Sequence, residues 1–539
     1  MKIKKLFPAS SKIALAASAL ALSVFSASDL FAVSQSGIQL TSGVWPVMVR
    51  MDYNPILQIS IKDAHGAKLT ELKLDFTKTT HVSDIEEVEV FVGGDLKGAG
   101  TLFGKAKPTK NNPIVTVKGS KPTPIADGKP IWISVKMRTG ADITGTVNCT
   151  GSQIVLDGRP FSINSVPASQ RVGYAVAKSG DLGSKNYRIP AVTTTKKGTL
   201  VATFDIRYGS AGDLPANIDI GVCTSVDGGK TWTPVKSVLS SKDMKVKKGV
   251  GDPGILYDPK TNTVWIAALW APQSGHPIWT SVSGSTATDN CGQVLLINSK
   301  NEGKTWSKPK NITADIKRLG DSDTARWGLI FQGPGAGICT KDGTLIFPGQ
   351  VWMRNAGNNK TESEGASQGV LIYSKDNGKT WSSTKSSPFG GSESTCLEKK
   401  NGSIALNTRT NKGWGRTGSI LKKIDSTTDW VVDENLKSGA KGVLKQPGGC
   451  QASLLSVGSD WFFSNPKSGS RDHMTIRHSK NEGDSWNEGL LYDERGCAGY
   501  SSLVPVDGGK RIGVLYEGTP NSEVISFLSI PIDEVKKAK

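Results

Sequence analysis

A chain of 539 residues is too long for one ordinary domain. Its 66 Lys and Arg against 48 Asp and Glu leave a formal charge of +18, which suits an anionic partner, although the lysines are scattered rather than clustered. Seven cysteines with no metal-ligand spacing exclude a zinc site or a disulfide framework, and past residue 32 no stretch is long and apolar enough to cross a bilayer.

The first 32 residues carry Lys2, Lys4, Lys5 and Lys12, then an apolar stretch from Ile13 to Ala27 followed by small residues. This is the pattern of a signal peptide cleaved after Ala27 or Ala32. The mature chain is therefore expected to be exported: periplasmic, associated with the cell surface or secreted. Neither a membrane-integral protein nor a nucleic-acid partner is expected of such a chain. Residues 33–168 contain ILQISIKDA, LTELKLDFTK, VEVFVGG and IWISVKMR, which alternate apolar and polar residues between Gly, Pro, Asn and Asp. That alternation reads as a β-sandwich, a form many carbohydrate-binding modules share.

Residues 172–539 are organised by a repeat. The pattern S-x-[DN]-x-G-x-[ST]-W occurs at Ser225–Trp232, Ser299–Trp306, Ser374–Trp381 and Ser479–Trp486, with a decayed copy ending at Trp430 that keeps Asp425. In each copy the Asp or Asn can accept backbone N–H groups a residue or two ahead, the Gly permits positive φ, and the Trp anchors the turn. Each copy follows a strand-like run, so these boxes read as architecture and not as chemistry. Short apolar runs beginning near Arg188, Asp252, Gln332, Glu393, Cys450 and Tyr500 mark six sets of strands. Four antiparallel strands per set, arranged radially, hide the sheet edges. The prediction is an all-β chain: a six-bladed β-propeller preceded by a β-sandwich.

Strand starts and ends at one rim of a propeller surround a central pocket. Those slots hold Arg188, Arg207, Asp252, Glu393, Arg409, Arg471 and Tyr500, with Asp213 in the loop after Arg207. Three or more converging arginines are costly unless an anion binds among them, and their planar forks match a carboxylate.

YRIP (Tyr187–Pro190), followed by four boxes, resembles the bacterial exo-α-sialidases (neuraminidases) of the Asp-box superfamily. The resemblance implies an arginine triad for the sialic acid carboxylate at Arg188, Arg409 and Arg471, with Arg477 the alternative for the third. It implies Asp213 as acid/base, with Asp219 the runner-up, and Tyr500 as nucleophile partnered by Glu393. Arg207 and Asp252 match residues lining the 4-hydroxyl pocket, and Glu517 matches a carboxylate that holds the first arginine. Trp270, Gln332 and Gln350 are weaker candidates for the sugar's other substituents. A tyrosine suits a carbon that bears a carboxylate, because an attacking Asp or Glu would meet like charge there. The expected function is retaining hydrolysis of terminal sialic acids from glycoproteins, mucins, oligosaccharides and gangliosides by a monomer without metal or cofactor. An intramolecular trans-sialidase is the close variant, and a non-catalytic Asp-box lectin or scaffold is the alternative. The sandwich is expected to be dispensable for the chemistry itself.

Overall fold

The computed structural model describes residues 33–163, 168–242, 248–275, 277–353, 367–410, 415–436, 444, 449–520 and 522–539. The signal peptide read in residues 1–32 lies outside them. Among the described residues the chain is all-β apart from short helical turns and two short helices, Thr313–Lys317 and Ile532–Lys537.

Among the described residues, six sheets follow one another, built as antiparallel meanders, except that Gly335–Ala336 pairs parallel with the second sheet's first strand and the sixth sheet takes its fourth strand from Ala168–Lys178. Their first strands are Asn186–Thr194, Val250–Asp258, Trp327–Gln332, Ser394–Glu398, Ser453–Val457 and Ser501–Val506. The third sheet splits its first position, because Ile338–Cys339 also pairs with its second strand, Leu345–Met353. First strands of neighbouring sheets touch, except that the third sheet meets the fourth through its second strand; it meets the second sheet through Trp327–Gln332, Ile338–Cys339 and Leu345–Met353. The strand Ser501–Val506 of the last sheet closes the ring against Asn186–Thr194 of the first. Such closure leaves every inner edge covered.

The four intact boxes sit where the third strand of a sheet turns into the fourth. Ser225 Oγ accepts the Gly229 N–H at 2.9 Å, the Asp227 carboxylate takes the Thr231 N–H at 3.0 Å and its hydroxyl at 2.6 Å, and Trp232 Nε1 returns to the Gly229 carbonyl at 3.0 Å. The Asp or Asn therefore reaches four residues ahead and not one or two, and the same bond recurs from Thr305, Thr380 and Ser485. The decayed copy closes differently: Asp425 takes the N–H groups of Thr427 and Thr428, and Trp430 donates to the Lys385 carbonyl of the preceding sheet. The boxes also link sheets. Gly229 has φ +92°, and a Cβ there would lie 2.1 Å from the ring of Phe527 in the sixth sheet. Trp232 packs edge-on against the same ring at 5.2 Å. In a meander the end of a third strand lies at the rim opposite the start of a first strand, so the boxes cannot reach the central site.

Residues 33–163 form a five-stranded sheet and part of a second one packed over a common core. The limit read near residues 168–172 falls inside a single strand, Ala168–Lys178. Its first half pairs with Thr146–Cys149 of the N-terminal module, and its second half pairs with Val524–Phe527 as the fourth strand of the sixth sheet. Val47–Val49 lies parallel along Val172–Tyr174 of this strand. The core is continuous across the junction, from Val47, Leu72 and Ile154 to Tyr187, Phe204 and Phe527. The picture of a dispensable appendage does not fit this packing. A chain shortened to begin at Val172 should lose its cooperative melt and aggregate, because it strips the parallel strand and uncovers the Tyr174 side of the core. Circular dichroism melts with size-exclusion chromatography check this, and a soluble ring melting at the full-length temperature would contradict it.

Candidate active site

Two bulges aim the first residues of the site. In the first sheet the register breaks between Arg188 and Ala191, with Ile189 at φ +61° just before Pro190. In the second sheet it breaks between Gly251 and Gly254, with Asp252 itself at φ +55° before Pro253. A β-branched residue in the left-handed region, next to proline, is strained and must be held by its surroundings. Glu517 does this for Ile189. Its fully buried carboxylate accepts the Ile189 N–H and Arg188 Nε, both at 3.0 Å, and the Tyr500 N–H at 2.9 Å. Asp205 does it for Asp252, accepting its N–H at 2.9 Å.

Tyr500 precedes the first strand of the sixth sheet. Its hydroxyl donates to Glu393 Oε1 and accepts from Arg409 Nη1 at 3.1 Å, while Arg409 also pairs with Glu393 Oε2 at 2.7 Å. The guanidinium carbons of Arg188 and Arg471 lie over the Tyr500 ring, 5.1 and 5.4 Å from its centroid. Arg471 is fixed by two main-chain carbonyls, Ala498 and Gly449, each at 2.9 Å. Arg477 is instead bound to Asn465 inside the fifth sheet. The structure thus brings Arg188, Arg409 and Arg471 around Tyr500 and leaves Arg477 out.

Arg207 is buried, donates to Asp205 through Nε and Nη2 at 3.1 and 2.9 Å, and holds Asp213 Oδ1 at 2.8 Å. Asp213 is 64% exposed and lies 3.8 Å from Arg188 Nη1, so it faces the mouth of the site. Asp219 is buried in its sheet, bound to Tyr208 and Ser237. Gln332 supports Asp252, donating to its carbonyl at 2.6 Å, and Gln350 is occupied by Trp352 Nε1. Trp270 closes the second strand of the second sheet, opposite Val250 and Gln293.

The electrostatics keep the tyrosine protonated at rest. Burial, reinforced by the Glu393 charge and opposed by Arg409 and Arg188, pushes the Tyr500 phenol well above its ordinary range. Burial also raises the Asp205 carboxyl to about 6 against the pull of Arg207, and burial together with Asp205 raises Asp252. Among the described residues no cluster of three or more His, Cys, Asp or Glu is placed to hold a metal ion. None of the seven cysteines forms a disulfide.

Two buried residues of this site were missed in the sequence. Asp205 lies two residues before Arg207 in FDIR, and the two-residue period of a strand puts both on one face, a signal that could have found it. Arg416 opens the third strand of the fourth sheet directly opposite Arg409. It binds Asn407 and the Cys450 carbonyl, and burial lowers its pKa to about 10.

A cleft with converging guanidiniums, a shielded phenol–carboxylate pair and an exposed carboxylate at its mouth can bind a planar anion and move protons on either side of it. The BNR repeat-like domain profile matches residues 189–491, more than half of the chain, and the N-terminal domain of BNR-repeat neuraminidase matches residues 35–101. The chain belongs to the BNR-repeat neuraminidase family. A sialidase of Bacteroides fragilis is 30% identical over 93% of this chain and 94% of its own length. One from Paraclostridium sordellii is 28% identical over 70% and 93% respectively. Among solved structures, the Hadza microbial sialidase Hz136 superposes with a TM-score of 0.79 at 27% identity, covering 92% of this chain and 99% of that one. The match to both profiles makes the N-terminal module part of the neuraminidase architecture seen here. Within it, Asp205→Ala should leave the buried Arg207 guanidinium half-compensated and cost about 3–5 kcal/mol of stability, read by denaturant unfolding. A loss near zero would show that Asp213 alone satisfies Arg207.

Proposed function

We propose that this chain is an exported, retaining exo-α-sialidase acting on sialylated glycans, with Tyr500 as its nucleophile. The observation that carries the reading is the Tyr500 hydroxyl set between Glu393 and Arg409 while Arg188 and Arg471 flank its ring. Arg188, Arg409 and Arg471 grip the sugar carboxylate, and Arg207 with Asp252 faces the substituents beyond it. The Tyr500 oxygen attacks the anomeric carbon as its proton passes to Glu393. The bond to the leaving oxygen breaks, and Asp213 gives that oxygen its proton. Water then yields a proton to Asp213 and attacks the same carbon from the vacated side. The bond to Tyr500 breaks, and Glu393 returns the proton to the phenolate. Two displacements give net retention.

The carboxylate on the anomeric carbon explains the choice of nucleophile, since a neutral phenol approaches it without like-charge repulsion. Preorganised guanidiniums stabilise the charge that shifts in the transition state. Export is supported by the basic and apolar pattern of residues 1–32, and no helix among the described residues is long and apolar enough to cross a membrane. The reading is of a monomeric enzyme that needs no cofactor.

Tyr500→Phe should lower turnover of an aryl sialoside by on the order of 10³-fold or more while the circular dichroism spectrum stays that of the parent. A folded variant retaining near-parent turnover would remove Tyr500 from the chemistry, and an inactive parent chain would favour the lectin reading. Asp213→Ala should show a leaving-group split in single-turnover assays. The loss on sialyllactose should reach about 10²–10⁴-fold and exceed that on an aryl sialoside, whose leaving group needs little protonation. Equal losses would mean that another group is the acid. Chromatography of the sialyllactose products separates simple hydrolysis from the intramolecular transfer variant.

A further inference from the structure

The segment Glu494–Tyr500 connects the last strand of the fifth sheet, Leu490–Asp493, to the first strand of the sixth without regular structure, yet it delivers Tyr500. Its far half is tied to the third arginine: the Cys497 N–H donates to the Arg471 carbonyl at 2.9 Å, and Arg471 Nη1 returns to the Ala498 carbonyl. Its near end is tied to the N-terminal module. The Glu494 N–H donates to the Val44 carbonyl at 3.1 Å, and Glu494 Oε1 accepts the indole N–H of Trp45 at 2.8 Å. The Glu494 carbonyl also meets the His473 N–H at 3.5 Å, in the hairpin that carries Arg471.

The strap Gly43–Trp45 is itself rigidly held. Buried Gln170 accepts the Trp45 N–H at 2.9 Å and donates to the Gly43 carbonyl at 3.0 Å. The Trp45 ring is buried 5.7 Å from that of Trp132. A Cβ on Gly43 would fall 1.8 Å from Glu494 Oε1, so the fit leaves no room for a side chain. Met48 of the module also shares a packed core with Cys497 of this loop, whereas Arg171 pairs with Glu534 beyond the sixth sheet's third strand, at the box rim.

We propose that Gly43–Trp45 is a positioning element of the active site, which acts through Glu494 to set where the loop places Arg471 and Tyr500. This rests on the reading of Arg471 as a carboxylate ligand and Tyr500 as the nucleophile. Small displacements of reacting groups cost large factors in rate, so a strap that removes slack from the loop contributes to the reaction without touching substrate.

The test uses the full chain and an aryl sialoside. Trp45→Phe keeps an aromatic ring at this position and removes the indole donor, with some loss of buried ring volume. It should raise KM and lower kcat together, reducing kcat/KM by about 5–20-fold. Partial misfolding would instead lower apparent kcat with KM unchanged. Glu494→Ala should show the same dual loss, and the double variant should lose no more than Glu494→Ala alone. Glu494→Gln keeps an acceptor for the indole and should stay near the parent. Arg171→Gln, which breaks the link at the other rim, should leave both constants unchanged. The inference is overturned by Trp45→Phe or Glu494→Ala with parent-like constants, by additive losses in the double variant, or by an equal loss in Arg171→Gln. If Trp45→Phe does not fold, Glu494→Ala against Glu494→Gln decides alone. An inactive parent would instead strike at the sialidase reading, which keeps the two failures apart.

Discussion

One buried carboxylate underlies the site. Glu517 has no solvent exposure, and its two oxygens take Arg188, the Ile189 N–H and the Tyr500 N–H. These donors come from the first and last sheets, so the same ion pair that seats an arginine also joins the two ends of the ring. Removing one member of a buried pair leaves a charge in a medium that cannot solvate it, a penalty of about 3–5 kcal/mol. Arg188 is therefore in place before any ligand arrives, and the strained backbone at Ile189 persists because Glu517 holds it.

The rest of the cleft extends that logic with graded exposure. Glu393 and Arg409 enclose the Tyr500 hydroxyl, whereas Arg207 ties buried Asp205 to exposed Asp213. In the proposed mechanism Glu393, which takes the phenol proton, is the more enclosed carboxylate, and Asp213, the proposed acid, stands at the mouth. Arg471 differs from its two counterparts in being held by carbonyl dipoles instead of a carboxylate, which leaves its charge available to an incoming anion.

Much of this was legible in the sequence where the physics is local. The boxes were readable because a turn, its glycine and its anchor fall within eight contiguous residues, and the rim slots followed once the repeat was found. Asp213 and Arg471 come from the family resemblance, and Asp219 and Arg477 stand second because they read as strand residues; the structure does put those two inside Ile218–Ser225 and Met474–Ser479 and the first two outside any strand. Contacts between distant segments were not legible. Pro190 and Pro253 argue against a left-handed residue before them, so the bulges at Ile189 and Asp252 run against local preference and exist only through Glu517 and Asp205. The approach of Trp45 to Glu494 spans 449 positions and leaves no local pattern. The sharing of Ala168–Lys178 between module and ring was hidden for the same reason: a strand's partners are not written in the strand.

That shared strand has a consequence for biosynthesis. The sixth sheet draws its first three strands from residues 501–531 and its fourth from residues 168–178. A ribosome working at about 5–20 residues per second needs tens of seconds to cover the interval between them. Throughout that time one edge of Ala168–Lys178 has no partner to bond with, and an open edge invites pairing with another chain. Val47–Val49 and Thr146–Cys149 are already made and occupy the opposite edge and the near half of the strand. The N-terminal module thus fixes one edge of this strand early and leaves the other, on which the ring closes, open until the C-terminus has been made.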